Sequence, residues 1–324
     1  MFKCASFFAG VGGIDLGFEE TGAFETVYAN EIDKYPAKTF ELNHNIKVDI
    51  RDIHEVKSEE IPDFDIMLAG FPCQAFSVAG LREGFNDKKG RGDLFFELIR
   101  IIKDKQPRVV FLENVKNLAN HDEGRTFSII LQSLEEAGYC KPLSNILNAM
   151  EYGNIPQNRE RIYIVVFKNE EDRAKFNWPS VTKLNKTVRD VIDFDTKIDE
   201  KYYYTPGKYK GCIYEELEKS MRDDDPNNPS IYQWRRIYVR KNKSNVIPTL
   251  TANQGEGGHN VCLVKTKYGI RKMTPRECFN AQGFPEDYIL PSDVTDSKLY
   301  KQAGNSVCVT VINSIAEKIK ESLI

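Results

Sequence analysis

The residues best suited to chemistry begin at Phe71-Pro72-Cys73-Gln74, reached through Asp65-Ile66-Met67-Leu68-Ala69-Gly70. The apolar run reads as a buried strand, closed by a glycine where the backbone turns. Pro72 and Cys73 then fall just past the strand's carboxyl end, and in an open α/β sheet that rim is where ligands bind. A thiol there is partly exposed and is ionised by neighbouring donors or cations, and the thiolate is the nucleophile. The competing reading is a small core residue, because free cysteines are mostly buried and inert. Other reactive types recur at strand ends. Glu113 follows the apolar run 109–112, Arg159 and Arg161 open the run 161–167, and Glu31 and Asp52 follow a glycine turn at Gly10-Val11-Gly12-Gly13. A structural ion pair is the plainer reading of Glu113 with Arg161.

Hydrophobic periodicity supplies the elements that position these groups. Strands are expected at 4–9, 25–30, 49–53, 65–69, 109–112 and 161–167, with helices at 14–21, 94–103 and 126–137. Strands alternating with helices predict a mostly parallel sheet covered on both faces. The glycine turn after the first strand, with Glu31 at the next strand tip, is the layout of a nucleotide-type cofactor site. The strict dinucleotide fingerprint fails, because Asp15 stands where the third glycine belongs. The missing pyrophosphate grip points to a cofactor with adenosine and no phosphates; a turn that merely packs is the alternative.

Between Gln74 and Asp93 the rhythm breaks. Gly80, Gly84, Gly90 and Gly92 interleave with Arg82, Lys88, Lys89 and Arg91, which suggests a lid after the nucleophile or else a surface insertion. Beyond Pro179 the βα pattern stops, and Arg222-Asp223-Asp224-Asp225-Pro226-Asn227-Asn228-Pro229 marks surface loops. Strand-like pieces at 236–240 and 261–266 predict a small β-rich second domain, and the tail 307–324 reads as a helix suited to packing on the first. The expected division is 1–185 plus 300–324 against 186–299.

The charge follows this division. Residues 231–272 hold nine Lys/Arg against Glu256 alone, a segment of +8 in a chain of −3, so the remainder carries −11. A compact positive region on an acidic protein is the footprint of a polyanion contact, with a lysine-rich solvated face as the alternative. Seven cysteines without a Cys-x-x-Cys pair, and four scattered histidines, predict free thiols in a reducing cytoplasm and no metal site. No apolar window reaches membrane-span length, and the first residues lack a signal-peptide layout.

Five segments occur together in order: Phe8-Ala9-Gly10-Val11-Gly12-Gly13, Gly70-Phe71-Pro72-Cys73-Gln74, Glu113-Asn114-Val115, Gln157-Asn158-Arg159-Glu160-Arg161 and Gln302-Ala303-Gly304-Asn305-Ser306-Val307. In them the chain resembles the DNA (cytosine-5)-methyltransferases, and most of all their small bacterial, HhaI-type members. The resemblance covers nearly the whole chain. It implies the Rossmann-like fold of S-adenosylmethionine-dependent methyltransferases with a smaller target-recognition domain. It implies that Cys73 bonds cytosine carbon 6, with Pro72 fixing the turn. Glu113 would stabilise charge at ring nitrogen 3, Arg161 would hold the base or Glu113, and Arg159 would lie near the thiolate or the DNA. For the cofactor it implies Phe8, Gly10, Gly12, Gly13, Glu31, Ile32, Asp52, Ile53, Phe71 and Asn305. Ile32 stands where many members have an aromatic.

For DNA the resemblance implies Gln74, Ser77, Arg82 and Lys89 on the lid, with Gln233, Arg235, Arg236, Arg240, Thr249 and Gln254 in the second domain. It further implies a bacterial or phage-encoded monomer acting on double-stranded DNA, without metal or membrane. A cognate restriction endonuclease would act at the same site and not as a subunit. Other readings fare worse. A tRNA methyltransferase shares the fold, but the basic second domain favours duplex DNA. A zinc deaminase needs Pro-Cys-x-x-Cys, which Gln74, Ala75 and Phe76 deny. A nicotinamide oxidoreductase needs the glycine that Asp15 replaces. A DNA-binding module without catalysis would not need Cys73, Glu113 and Arg161 together.

Overall fold

A computed structural model describes residues 1–72, 94–209, 214–225, 227–235, 237–255 and 260–324. In chain order its elements begin β1 (Phe2–Phe7), α1 (Gly13–Glu19), β2 (Phe24–Asn30), α2 (Lys34–Asn43), β3 (Val48–Asp49) and β4 (Ile66–Ala69). There follow α3 (Leu94–Lys105), β5 (Val109–Val115), α4 (Arg125–Glu136), β6 (Leu143–Asn148), α5 (Ala149–Tyr152), β7 (Gln157–Asn158), β8 (Glu160–Phe167) and α6 (Glu170–Lys175). The rest is α7 (Tyr214–Ser220), β9 (Tyr232–Trp234), β10 (Val239–Lys241), β11 (Ile247–Pro248), β12 (Leu263–Thr266), β13 (Gly269–Lys272), α8 (Pro275–Asn280), α9 (Asp296–Asn305) and α10 (Val309–Leu323).

Two compact units emerge from the contacts. The first comprises Met1–Leu147, Glu160–Ser180 and Val311–Ile324, and the second Asn148–Arg159 and Val181–Thr310. The boundaries expected at 185/186 and 299/300 both fall inside the second unit.

The first unit is built on a seven-stranded sheet of order β3-β2-β1-β4-β5-β8-β6. Strands β1 to β5 run parallel, as the alternation of strands and helices predicts, while β8 runs antiparallel to β5. Every residue of β4 is buried, as expected of a central strand covered on both faces. Amphipathic α3 turns Phe95, Leu98, Ile99, Ile101 and Ile102 into the core beside Met67 and Val110. Helix α10 buries Val311, Ile312, Ile315, Ala316 and Ile319 completely. Its Asn313 donates to the Gly17 carbonyl at 3.2 Å, so the tail helix belongs to this unit.

The antiparallel direction of β8 matters for the site. The start of an antiparallel strand lies beside the end of its neighbour, which brings Arg161 opposite Val115 and sets Glu113 against Tyr163. A parallel β8 would have placed Arg161 at the far edge of the sheet.

The second unit holds a four-stranded antiparallel sheet, β10-β9-β12-β13, and the short parallel pair β11-β7. Tyr204, Leu217, Met221, Tyr232, Trp234, Leu263 and Ile270 form its core. The third strand is shorter than expected, because Asp52 caps a 3-10 turn at Ile53–Glu55 and accepts from the His54 amide at 3.1 Å. Strand β6 is a half-exposed Leu-Ser-Asn-Ile-Leu-Asn without apolar alternation, while α9 buries Leu299, Tyr300 and Ala303 on one face and ends in Gly-Asn.

Candidate active site

Two strand ends of the first unit hold the charged pair. Glu113 and Arg161 lie two register positions apart on the same face of β5 and β8, where long side chains meet across an antiparallel ladder. Arg161 Nε is 3.2 Å from Glu113 Oε1, and both side chains are almost fully out of solvent. Arg161 also donates to the Glu160 carbonyl at 2.9 Å.

The neighbouring strand end is tied to this pair. A Cβ on Gly70 would sit 3.5 Å from Glu113 Oε2, so the missing side chain lets the carboxylate lie against the backbone that leaves β4. Asn114 Nδ2 donates to the Phe71 carbonyl at 2.8 Å, entirely buried. The backbone leading into Pro72 is therefore held by the residue after Glu113, a role no sequence signal marked. Phe71 is buried against Phe95, with ring centroids 5.6 Å apart, and belongs to the core cluster. Pro72 is exposed. Cys73, Gln74, Ser77, Arg82, Lys89 and Arg236 lie outside the described residues.

The second cluster of the first unit surrounds the glycine turn. Beyond β1 the chain takes positive φ at Phe8 (54°), Gly10 (56°) and Gly12 (77°), and Gly13 opens α1. A Cβ on Gly12 would collide with His44 Nε2, whereas one on Gly10 would meet only the Phe8 carbonyl, at 4.0 Å. Glu31 braces the turn, accepting from the Gly10 amide at 3.0 Å through one oxygen and from the Asp33 amide at 2.8 Å through the other. Ile32 is 61% exposed beside it. Asp52 pairs with His54 Nδ1 at 2.6 Å, and the His54 amide and ring hold its carboxyl below the usual carboxylate range. Ile53 faces inward as a core residue.

Beneath this turn, Asp15 is wholly buried and accepts from Ser6 Oγ at 2.9 Å and Thr26 Oγ1 at 3.1 Å. Burial raises its pKa to about 6, against the opposing pull of His44 and the two hydroxyls. His44 and the partners of Asp15 were not candidates from sequence, since a lone histidine after Asn43 carries no pattern.

In the second unit the structure separates the remaining expectations. Arg159 is 2% exposed, and its guanidinium donates to the backbone carbonyls of Leu250 (2.9 Å), Gly304 (3.1 Å) and Ser306. The guanidinium that was expected near a thiolate or DNA thus joins three backbone segments. Gln233 and Gln254 also turn inward. Their amides converge on the Asn260 carbonyl at 2.9 and 3.0 Å, and Gln254 accepts from the Cys262 amide. Buried amides need such partners, which explains their withdrawal from the surface expected to meet DNA. Thr249 Oγ1 donates to the Asn158 carbonyl at 2.7 Å. Arg235 holds Asn260 Oδ1 at 2.8 Å, Arg240 is exposed on β10, and Asn305 is exposed at the end of α9. No group of three or more potential metal ligands occurs among the described residues.

Comparison with known proteins bears on the whole chain. The family description "C-5 cytosine-specific DNA methylase" matches residues 2–321, a span that contains all five segments. The Type II methyltransferase M.Bsp6I of Bacillus sp. (strain RFL6) is 57% identical over 324 residues, covering 100% of both chains. M.HhaI of Haemophilus parahaemolyticus is 40% identical over 326 positions, covering 98% of this chain and 93% of its own. Among solved structures, the Entamoeba histolytica methyltransferase EhMeth superposes with a TM-score of 0.73 at 18% identity, over 100% of this chain and 99% of its own, a likeness of fold alone. With a family match across the chain and relatives this close over their full length, the chain belongs to the C-5 cytosine-specific DNA methylases.

Proposed function

We propose that the chain transfers the methyl group of S-adenosylmethionine to carbon 5 of a cytosine within a short, specific sequence of double-stranded DNA. The observation that carries this reading is the Glu113–Arg161 pair, set against the backbone that runs into Pro72 and Cys73. Carbon 5 of cytosine is a poor nucleophile. Addition of the Cys73 thiolate to carbon 6 opens the 5,6 double bond and moves electron density to carbon 5, as an enamine does. Glu113 protonates or shares a proton with ring nitrogen 3, where negative charge develops, and Arg161 steadies that carboxyl and the base's carbonyl. Once carbon 5 is methylated, solvent water takes its proton and the C–H electron pair re-forms the 5,6 double bond. The carbon 6–sulfur bond breaks with its pair on Cys73, and the proton on ring nitrogen 3 returns to Glu113. The base must first leave the duplex stack, which costs a few kcal/mol.

S-adenosylmethionine would supply its methyl from a sulfonium centre. The glycine turn suits such a group: backbone is open to approach at Gly10, and Glu31 oxygens that already hold amides keep further acceptor capacity for ribose hydroxyls. Asp52 offers a second acceptor for an adenine amine, and exposed Ile32 an apolar contact. The carboxylates of Glu31 and Asp52 beside the turn disfavour a pyrophosphate. The first unit carries this chemistry in our reading, and the second, with Arg235 and Arg240, recognises the target. The same reading includes a cytoplasmic monomer, with a restriction endonuclease cutting the same unmodified sites.

Tritiated methyl transfer to mixed duplex DNA, followed by bisulfite sequencing of the product, tests the proposal. Incorporation at cytosines of one short motif is expected, abolished by Cys73→Ser and lowered at least ~100-fold in kcat by Glu113→Gln. Transfer to tRNA and not DNA, or full activity of Cys73→Ser, would overturn it.

A further inference from the structure

The glycine turn rests on buried titratable groups that the mechanism above leaves unused. His44, just after α2, is 5% exposed. One face of its ring stacks on Phe40, with centroids 4.2 Å apart, and its Nδ1 lies 2.9 Å from Glu19 Oε2. The opposite edge fills the space where a Cβ of Gly12 would be, beneath the left-handed turn. Asp15 and Glu19 face the ring from α1. Cys4 of β1 lies in the same charge cluster, its thiol pushed up by burial and by the Asp15 and Glu19 charges and so kept neutral. Burial works against a proton on His44, but the Glu19 hydrogen bond, the two carboxylate charges and the Gly12 backbone together lift its pKa above the ordinary value.

We propose that His44 is a positioning residue of the cofactor site: its imidazolium, anchored on Glu19, holds Gly12 in the left-handed conformation and so sets the affinity for S-adenosylmethionine. Glycine is the residue least restrained by its own sterics, so a turn at φ +77° keeps its shape through its surroundings. The Gly12 amide donates to the Ala9 carbonyl at 2.9 Å, Glu31 braces the Gly10 amide, and the His44 ring fills the side that a Cβ would occupy. Without the imidazolium the turn samples other conformations, and binding must supply the ordering cost that the folded protein now covers in advance. This inference rests on the glycine turn being the cofactor site.

Two variants test it. His44→Asn keeps a donor near the Nδ1 position for Glu19 but withdraws the ring edge and the charge; His44→Phe keeps the stack on Phe40 and loses the charge and the hydrogen bond to Glu19. Calorimetric binding of S-adenosylhomocysteine to the free enzyme should weaken about tenfold in each, with KM for S-adenosylmethionine rising in parallel and kcat and KM for DNA unchanged. The wild-type advantage should shrink as pH rises through the raised His44 pKa, because the imidazolium is then lost. Unchanged cofactor affinity in both folded variants, with only thermal stability lowered, would overturn the inference, as would an advantage independent of pH. Glu31→Gln separates the two levels. If it too leaves cofactor affinity intact, the cofactor-site reading fails; if it weakens binding while the His44 variants do not, only the role of His44 fails.

Discussion

Asp15 stands where a dinucleotide site would need its third glycine, and the structure gives that departure a physical use. As the third residue of α1 it turns into the interior and accepts from Ser6 and Thr26 on the two strands beneath. Burial raises its pKa from 3.8 to about 6, so the folded protein takes up this proton more readily than the unfolded chain. Stability from this group is therefore lowest above pH 6 and rises as pH falls from 6 toward 4. Relative to Asp15→Asn, the wild type should gain about 1 kcal/mol on moving from pH 7 to pH 5. Urea unfolding of both proteins at the two pH values measures it, and an unchanged gap would contradict the burial argument. The sequence marked position 15 as a departure from a motif. It could not reveal the burial, because Ser6 and Thr26 are placed by strand pairing and not by spacing along the chain.

At the scale of elements, the period of the apolar residues located most strands and helices of the first unit, since each buries a face of its own. Strand direction was not legible in the same way. The apolar run of β8 reads identically parallel or antiparallel, yet only the antiparallel choice brings Arg161 beside Glu113. Arg159, two residues earlier, shares a motif with Arg161 but not its surroundings. Its guanidinium joins the carbonyls of Leu250, Gly304 and Ser306, where α9 meets the 3-10 turn at Ala252–Gly255. The approach there is so close that a Cβ on Gly304 would collide with the Thr251 backbone. Lysine offers one compact ammonium in place of a planar fork, and carbonyls set to receive two separate guanidinium nitrogens would not all lie within its reach, so buried acceptors would be left unmade. Arg159→Lys should destabilise the protein by about 3 kcal/mol, read as a lower denaturant midpoint. A variant with wild-type stability and a defect in kcat alone would return Arg159 to the reacting atoms.

For the molecule as a whole, the count of +8 over residues 231–272 overstates the surface on offer to a polyanion. Arg271 is fully buried and paired with Glu277 at 2.7 Å. Lys272 is 9% exposed, stands over the Tyr300 ring, and has its pKa lowered by burial. Lys265 is spent on the carbonyls of Met221 and Arg222. What faces water among the described residues is Arg240, Lys241, Lys243 and Lys267, with Arg235 half-buried. Charge was legible from the sequence, and its exposure was not, because that depends on what packs over each strand: adjacent Arg240 and Lys241 on β10 both face water, whereas adjacent Arg271 and Lys272 on β13 are both buried. Each phosphate contact releases condensed counterions, so the slope of log affinity against log salt reports how many cations engage DNA. Replacing Arg240 by Ala should weaken binding and reduce that slope by about 0.9, with a similar step for Lys243→Ala if both meet phosphates. Lys272→Met, which removes a buried charge of the same segment, should leave the slope as it was. Titrating duplex DNA by fluorescence anisotropy at several salt concentrations decides the matter: a slope that falls for Lys272→Met and holds for Arg240→Ala would assign the polyanion surface to the wrong face of this sheet.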